Sequence, residues 1–185
     1  KKGKIYSLVG PSGSGKSTLL NLLSLIDQPT NGIIKINDKI VNFKERKKND
    51  EFRAKSIGII YQEKNLLSDF TALENVYLAR LSIDNNKNKA VKDAKDIIKS
   101  VGLSHRLDHY PTELSGGESQ RIAISRALIN SPDIILADEP TGSLDHKKSK
   151  EVFKILFKLK NKSRIIIFAT HNRYFANMAD CKIQL

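Results

Sequence analysis

The chain holds a single cysteine, Cys181, so no disulfide can form within it and its fold must rest on a buried apolar core. One free thiol suits a reducing compartment and points to the cytoplasm. Long apolar runs are missing too. The longest, such as "IIIFA" at 165 to 169, are strand-sized, far short of the roughly 20 residues with which a helix crosses a bilayer, so no membrane span is predicted. Acidic residues are the minority: 20 Asp+Glu against 32 Lys+Arg leave a net charge of +12. That balance accompanies nucleic-acid binding, proximity to anionic lipid, or a merely solvated lysine-rich surface. The densest run, "KERKK" at 44 to 48, lies in a predicted loop and has no interleaved aromatics to stack on bases. A solvated surface is therefore the favoured reading, anionic membrane proximity comes second, and no nucleic-acid partner is expected. An initiator methionine and a signal-peptide pattern are also lacking, and a strand begins almost at once, so the natural protein is expected to extend beyond both ends. No internal repeat is found.

What is present is an ordinary globular composition, 39% hydrophobic and 28% charged over 185 residues, enough for a single, lobed domain. "IYSLV" at 5 to 9 predicts a strand that runs into a glycine-rich loop, followed by an amphipathic helix from Lys16 to about Ile26. "GIIKINDKIV" predicts a two-stranded hairpin turning at Asn37 and Asp38. A charged loop over 44 to 55 precedes a buried strand, "SIGIIY", that stops at Gln62. From about 65 to 130 helical periodicity replaces strand runs, Thr71 and Glu74 have the spacing of a capping box, and "IDNNKNK" at 83 to 89 is a polar connector. Strands return at "DIILA", 133 to 137, and "RIIIFAT", 164 to 170. Between them a helix over about 147 to 160 carries Val152, Ile155, Leu156 and Leu159 on one face. Apolar strands alternating with helices predict an α/β fold with a mainly parallel sheet covered on both faces.

Gly10, Gly15, Lys16 and Ser17 satisfy GxxxxGK[ST], with Gly13 a further glycine of the loop. Glycines let the chain curl so that successive amides converge on phosphate oxygens, while the following helix turns its positive end to the same anion. Lys16 would reach β and γ phosphates and the Ser17 hydroxyl would take a Mg²⁺ position. The bland alternative, a glycine-rich turn, does not account for strand, loop and helix in the required order.

"IILADE" sets Asp138 and Glu139 at the carboxyl end of a buried strand, where open α/β sheets place ligand chemistry. Hydrolysis of a γ-phosphate needs one carboxylate on Mg²⁺ and another group to orient or deprotonate water. Asp138 suits the first role and Glu139 the second. Gln62 and His171 also end strands and can point into the same crevice, as a glutamine sensing Mg²⁺ or the water and a histidine contacting the γ-phosphate.

A second glycine-bearing helix start, "ELSGGESQR" at 113 to 121, is harder to explain. Ser115 and Glu118 have capping-box spacing, and a capped amphipathic helix accounts for much of it. It does not account for Gly116 and Gly117, since a helix that needs only a cap gains nothing from two glycines. Close approach of an anion to the bare backbone would.

Taken in order, "GPSGSGKST", Gln62, "LSGGE", "ILADEP", "GSLD" at 142 to 145 and "TH" at 170 to 171 resemble the ATPase subunit of an ATP-binding cassette (ABC) transporter over essentially the whole chain. "YQEKNLLSDFTALENV" at 61 to 76, "LIDQPTNG" at 25 to 32 and "HYPTELSGGESQRIAISRAL" at 109 to 128 resemble the subfamily of lipoprotein-releasing, macrolide-efflux and cell-division ATPases, with the first favoured. The resemblance implies a P-loop NTPase fold with a small antiparallel β region and an inserted helical lobe. It places the core at about 1–64 and 131–185 and the lobe at about 65–130. It implies ATP and Mg²⁺, with nucleotide contacts from Gly10, Pro11, Ser12, Gly13, Ser14, Gly15, Lys16, Ser17 and Thr18, metal contacts from Ser17, Gln62 and Asp138, and catalytic roles for Glu139, His171 and Gln62. Ser115, Gly116, Gly117 and Glu118 would bind the γ-phosphate of ATP held by a second copy. The partners implied are that second copy and an integral membrane permease docked on the helical lobe, which put the chain on the cytoplasmic side of the bacterial inner membrane. Three departures stand out. No residue matches the adenine-stacking aromatic that the family carries upstream of the phosphate loop, Ser119 stands where many relatives have Gln, and Ser143 where many have Asn. A DNA-maintenance ATPase with the same cassette is disfavoured, because the span from Gln62 to Ser115 is too short for coiled-coil arms and lacks heptads.

Overall fold

A computed structural model describes residues 1–185. Its centre is a five-stranded parallel sheet of β1 (Ile5–Val9), β4 (Ile57–Ile60), β5 (Ile134–Asp138), β6 (Ile165–Ala169) and β7 (Cys181–Gln184), in the order β4-β5-β6-β1-β7. All four pairings are parallel, so every strand delivers its carboxyl end to the same edge.

Side-chain alternation fills both faces of that sheet. Ile135 and Ala137 of β5, with Ile166 and Phe168 of β6, join one core with Phe153, Leu156 and Phe175 from α6 (His146–Lys158) and α7 (Arg173–Asn177). Leu136 and Ala169 point the other way, into a core with Leu8 and with Leu20 and Leu25 at and after α1 (Lys16–Leu23). Burial on both faces is what a run such as "IIIFA", with no polar break, requires.

Between β4 and β5 the chain leaves the sheet to build a third core from α3 (Ala72–Leu81), α4 (Lys87–Ser100) and α5 (Gly116–Leu128), packed on Val76, Ala94, Ile98, Leu103 and Ile122. Helix α5 belongs to both regions, because Ile122 faces this lobe while Ile124 and Leu128 reach the sheet. Contact with the sheet is close at Gly58 of β4, where a Cβ would come within 2.4 Å of the Ala127 carbonyl oxygen; only glycine fits. Asn75, 2% exposed, locks the approach to α3: its amide nitrogen donates to the Leu67, Phe70 and Thr71 carbonyls and its oxygen accepts from Leu67 N–H.

Several local expectations hold. The hairpin of β2 (Lys35–Ile36) and β3 (Lys39–Ile40) turns at Asn37 and Asp38, both left-handed with φ of 49° and 63°, as a tight two-residue hairpin demands. Thr71 and Glu74 form a reciprocal capping box. Other boundaries differ. Helix α1 stops at Leu23 rather than Ile26, because Leu25 adopts φ 61° and the amides of Leu25 and Ile26 bond back to the carbonyls of Leu22 and Asn21. A leucine replaces the usual glycine in this helix stop, and its burial offsets a left-handed cost of roughly 1–2 kcal/mol.

The charged stretch predicted as a loop over 44 to 55 is largely a helix, α2 (Arg46–Ser56). It has no fully buried residue, and Lys48–Glu45 and Arg53–Asp50 pairs one turn apart support it, with Phe52 packed on the sheet's second core. Of the polar connector at 83 to 89, the last three residues are already helical, because Asn86 caps α4 by accepting from Lys89 N–H. Strand β7 lies outside the sequence expectations; its four residues, Cys181 to Gln184, are largely exposed, and Cys181 and Ile183 alternate with lysine and glutamine, so they form no apolar run. No helix is long and apolar enough to cross a membrane.

Candidate functional site

The phosphate loop follows β1 directly and curls into α1. Gly13 and Gly15 have φ of 80° and 93°, in the left-handed region that side chains avoid. Gly10 is needed for a different reason: a Cβ there would lie 2.6 Å from Ser14 Oγ and 2.7 Å from the Leu185 carbonyl oxygen. Lys16, only 6% exposed, folds back across the loop and donates from Nζ to the Gly10 and Pro11 carbonyls at 3.0 and 2.9 Å. The cation thus stands within the curl, while Ser12, Ser17 and Thr18 are exposed. Gly15 caps α1 without a side chain, so no hydroxyl or carboxylate occupies the amides of the first turn. An anion can take that place.

At the same edge of the sheet, Asp138 pairs in register with Ala169, which pairs in turn with Leu8 just ahead of the loop. Glu139 follows in a left-handed conformation, φ 42°, uncommon for a residue with a side chain. Its backbone is held by Glu139 N–H to Ala169 O at 3.1 Å and Gly142 N–H to Glu139 O at 3.0 Å. The carboxylate is 13% exposed and lies 3.3 Å from His171 Nε2, in ion-pair range, yet Oε1 is buried without a hydrogen bond. Burial pushes its pKa up, more than the neighbouring His171 draws it down.

Ser12, Gln62, Glu139 and His171 line one cleft of about 570 Å³, together with Thr141, Gly142, His146, Ser149, Thr170 and Asn172. Gln62 rests on Gly142, where an added Cβ would sit 3.1 Å from its amide nitrogen. Ser12 of the loop, Gln62, Glu139 and His171 thus share one cleft, whereas Lys16, Ser17 and Asp138 are not among its lining residues. Sequence reasoning misses Thr141, His146, Ser149 and Asn172; Thr141, His146 and Asn172 directly flank motifs, Ser149 lies one turn into α6, and only Asn172 carries a visible signal, as the cap of α7 immediately after "TH".

Ser115, Gly116, Gly117 and Glu118 are not part of that cleft. They start α5, where the Ser115 side chain accepts from Glu118 N–H and Glu118 Oε2 accepts from Ser115 N–H at 2.8 Å. Neither glycine has a positive φ. A Cβ on exposed Gly116 would make ordinary contact with Leu144 at 3.4 Å, and one on Gly117 would meet only the flexible Lys148 chain at 3.3 Å. Packing within the chain does not require Gly116, and at Gly117 a Cβ would ask only that the Lys148 side chain give by a few tenths of an ångström.

The donors that the sequence assigns to a cation are the Ser17 hydroxyl, the Gln62 amide oxygen and the Asp138 carboxylate. No group of three His, Cys, Asp or Glu residues could hold a metal unaided. An all-oxygen set with one carboxylate suits Mg²⁺, which keeps part of its shell for substrate phosphates.

These features agree with the comparisons to known proteins. Residues 1–142 match the ABC transporter family. The lipoprotein-releasing system ATP-binding protein LolD of Rickettsia bellii is 47% identical over 180 residues, covering 97% of this chain and 79% of the relative. LolD of Cytophaga hutchinsonii is 43% identical over 184 residues, covering 99% and 84%. Two solved dimeric structures of the bacterial ABC transporter cassette MJ0796 cover 100% of this chain and 82% of theirs: one bound to ADP and Pi, with a TM-score of 0.91 at 37% identity, and another with 0.90 at 38%. A match of this extent, on a parallel sheet carrying the phosphate loop and strand-end carboxylates at one edge, means that the chain belongs to the ABC transporter family.

Proposed function

We propose that this chain is the Mg²⁺-dependent ATP-hydrolysing subunit of a lipoprotein-releasing ABC transporter, acting on the cytoplasmic side of the bacterial inner membrane through a separate membrane-embedded partner. The observation that carries the hydrolytic reading is the cleft that Glu139, its carboxylate largely buried and within ion-pair range of His171, shares with Ser12 and Gln62. Lipoprotein release is favoured over macrolide efflux or a cell-division role by the two LolD relatives.

In this reading residues Gly10 to Thr18 cradle the triphosphate, with Lys16 at its β and γ oxygens. Ser17, Gln62 and Asp138 hold Mg²⁺, which when bound neutralises charge on those oxygens. Glu139 accepts the proton of the attacking water, a task suited to a carboxylate whose burial strengthens its hold on a proton. His171 steadies Glu139 and faces the γ-phosphate. A core at about 1–64 and 131–185 and a lobe at about 65–130 form two parts of one nucleotide-binding domain, the lobe serving as the docking face for the permease. Two copies sandwich two ATP molecules, each Lys16 loop facing Ser115 to Glu118 of the other copy.

Purification from native membranes together with its membrane partner, followed by ATPase assays with and without a lipoprotein, tests this. A partner with a large periplasmic domain and stimulation by lipoprotein are expected. A partner resembling a solute importer, with no response to lipoprotein, would overturn the assignment.

A further inference from the structure

The start of α5 presents an electrostatic problem. Glu118 is one of four residues assigned to meet a phosphate, yet it is itself an anion. Its bonds to the Ser115 amide and hydroxyl, together with Arg106, hold its pKa down at about 2, so it stays ionised throughout the physiological range. A free carboxylate there would repel an incoming triphosphate.

Arg106 answers that charge. It lies outside every motif quoted above, in a short 3₁₀ turn (Ser104–Arg106), and its Nε donates to Glu118 Oε1 at 2.8 Å while Glu118 Oε2 accepts from Ser115 N–H. Both Glu118 oxygens are thereby engaged, with the carboxylate 13% exposed. The guanidinium is fixed from behind: its Nη1 lies 2.9 Å from His109 Nε2, which accepts in the neutral form. The same segment is tied to α3 by Leu73 N–H to Leu107 O and Ala72 N–H to His109 O, at 2.9 and 2.8 Å. Other cations nearby are engaged elsewhere, Lys148 with Asp145 and Arg121 with Glu151.

We propose that Arg106 is a positioning residue for the second glycine site, holding Glu118 in its cap and neutralising it so that the first turn of α5 can receive an anion. This rests on the reading of Ser115 to Glu118 as a half-site completed by ATP on a second copy. Lysine cannot substitute fully, because a point charge lacks the directed Nε–H that reaches Oε1.

The test uses the full chain carrying Glu139→Gln, so that ATP is bound without turnover, with dimer formation followed by analytical ultracentrifugation and ATP affinity measured separately. Arg106→Met is expected to weaken ATP-driven dimerisation about tenfold, the scale of one charge-assisted hydrogen bond, with the affinity of the Lys16 loop for ATP unchanged. Arg106→Lys should lose less. Adding Glu118→Gln, which keeps an acceptor for the Ser115 amide but removes the charge, should recover most of the loss. A purely structural role for Arg106 predicts no such recovery, and that result would overturn the inference, as would an Arg106→Met protein that dimerises like its parent. A parent that stays monomeric with ATP would remove the two-copy reading, and this inference with it.

Discussion

Two helices in this molecule begin with glycines, and they are built in opposite ways. Helix α1 starts from a loop forced into left-handed backbone, with no side-chain cap and a lysine folded into the curl. Helix α5 starts from ordinary backbone, with a complete capping box and a carboxylate pinned by an arginine. At α1 the glycines are conformationally necessary and the amides are left open for a ligand. At α5 the amides of the cap are satisfied already, and neither glycine is forced by backbone conformation: Gly116 is exposed, and a Cβ on Gly117 would only ask the Lys148 side chain to shift slightly. The first has the form of a phosphate cradle complete within one chain; the second has the form of a surface awaiting close approach from outside.

The largest effect that would probe this division belongs to the chemistry at α1's side of the cleft. Glu139→Gln should retain ATP binding and lower turnover by roughly 10² to 10⁴-fold, the range of a general base. An undiminished rate would remove Glu139 from the mechanism. At the other helix, Ser115→Arg should leave ATP binding to monomer nearly intact yet cut turnover by about 10² to 10³-fold, as when an anion-stabilising donor is lost; equal loss of nucleotide binding would show that α5 serves its own chain's site.

Alanine at the glycines sharpens the contrast further. Gly15→Ala must force a side chain into φ 93° and should destabilise the fold by about 1–2 kcal/mol, read as a lower denaturation midpoint, with ATP binding lost alongside. Gly116→Ala should instead stabilise by up to about 1 kcal/mol through helix propensity while lowering turnover. Were Gly116→Ala both more stable and fully active, the close-approach argument would fail. A smaller effect concerns charge. Burial raises the folded-state pKa of Glu139 above its unfolded value, so its ionised form costs stability at neutral pH. Glu139→Gln should therefore raise the melting temperature at pH 7, and the gain should vanish as pH falls below the ordinary carboxylate range.

Much of this was legible in the sequence where one residue type has one physical use. Asn37 and Asp38 announce a hairpin turn, Thr71 with Glu74 and Ser115 with Glu118 announce caps, and the apolar strands announce a sheet buried on both faces. The gathering of Gln62, Glu139 and His171 followed from each standing at a strand end in a parallel sheet. Helix α2 was hidden because its stabilising pairs are charged and its one apolar anchor, Phe52, makes no periodic stripe. Strand β7 was hidden because an exposed edge strand needs no apolar pattern. Arg106 was invisible for a third reason: its bond to Glu118 spans 12 residues and depends on how the 3₁₀ turn is anchored to α3, which no local pattern records.

The central claim is that one chain holds ATP but two complete a site, and turnover per chain as a function of protein concentration tests it most directly. At saturating ATP without the membrane partner, the rate per chain should climb with concentration and level off as dimers form, and Ser115→Arg should flatten the curve near zero. A rate per chain that stays constant and full down to dilutions at which ultracentrifugation finds only monomer would contradict it.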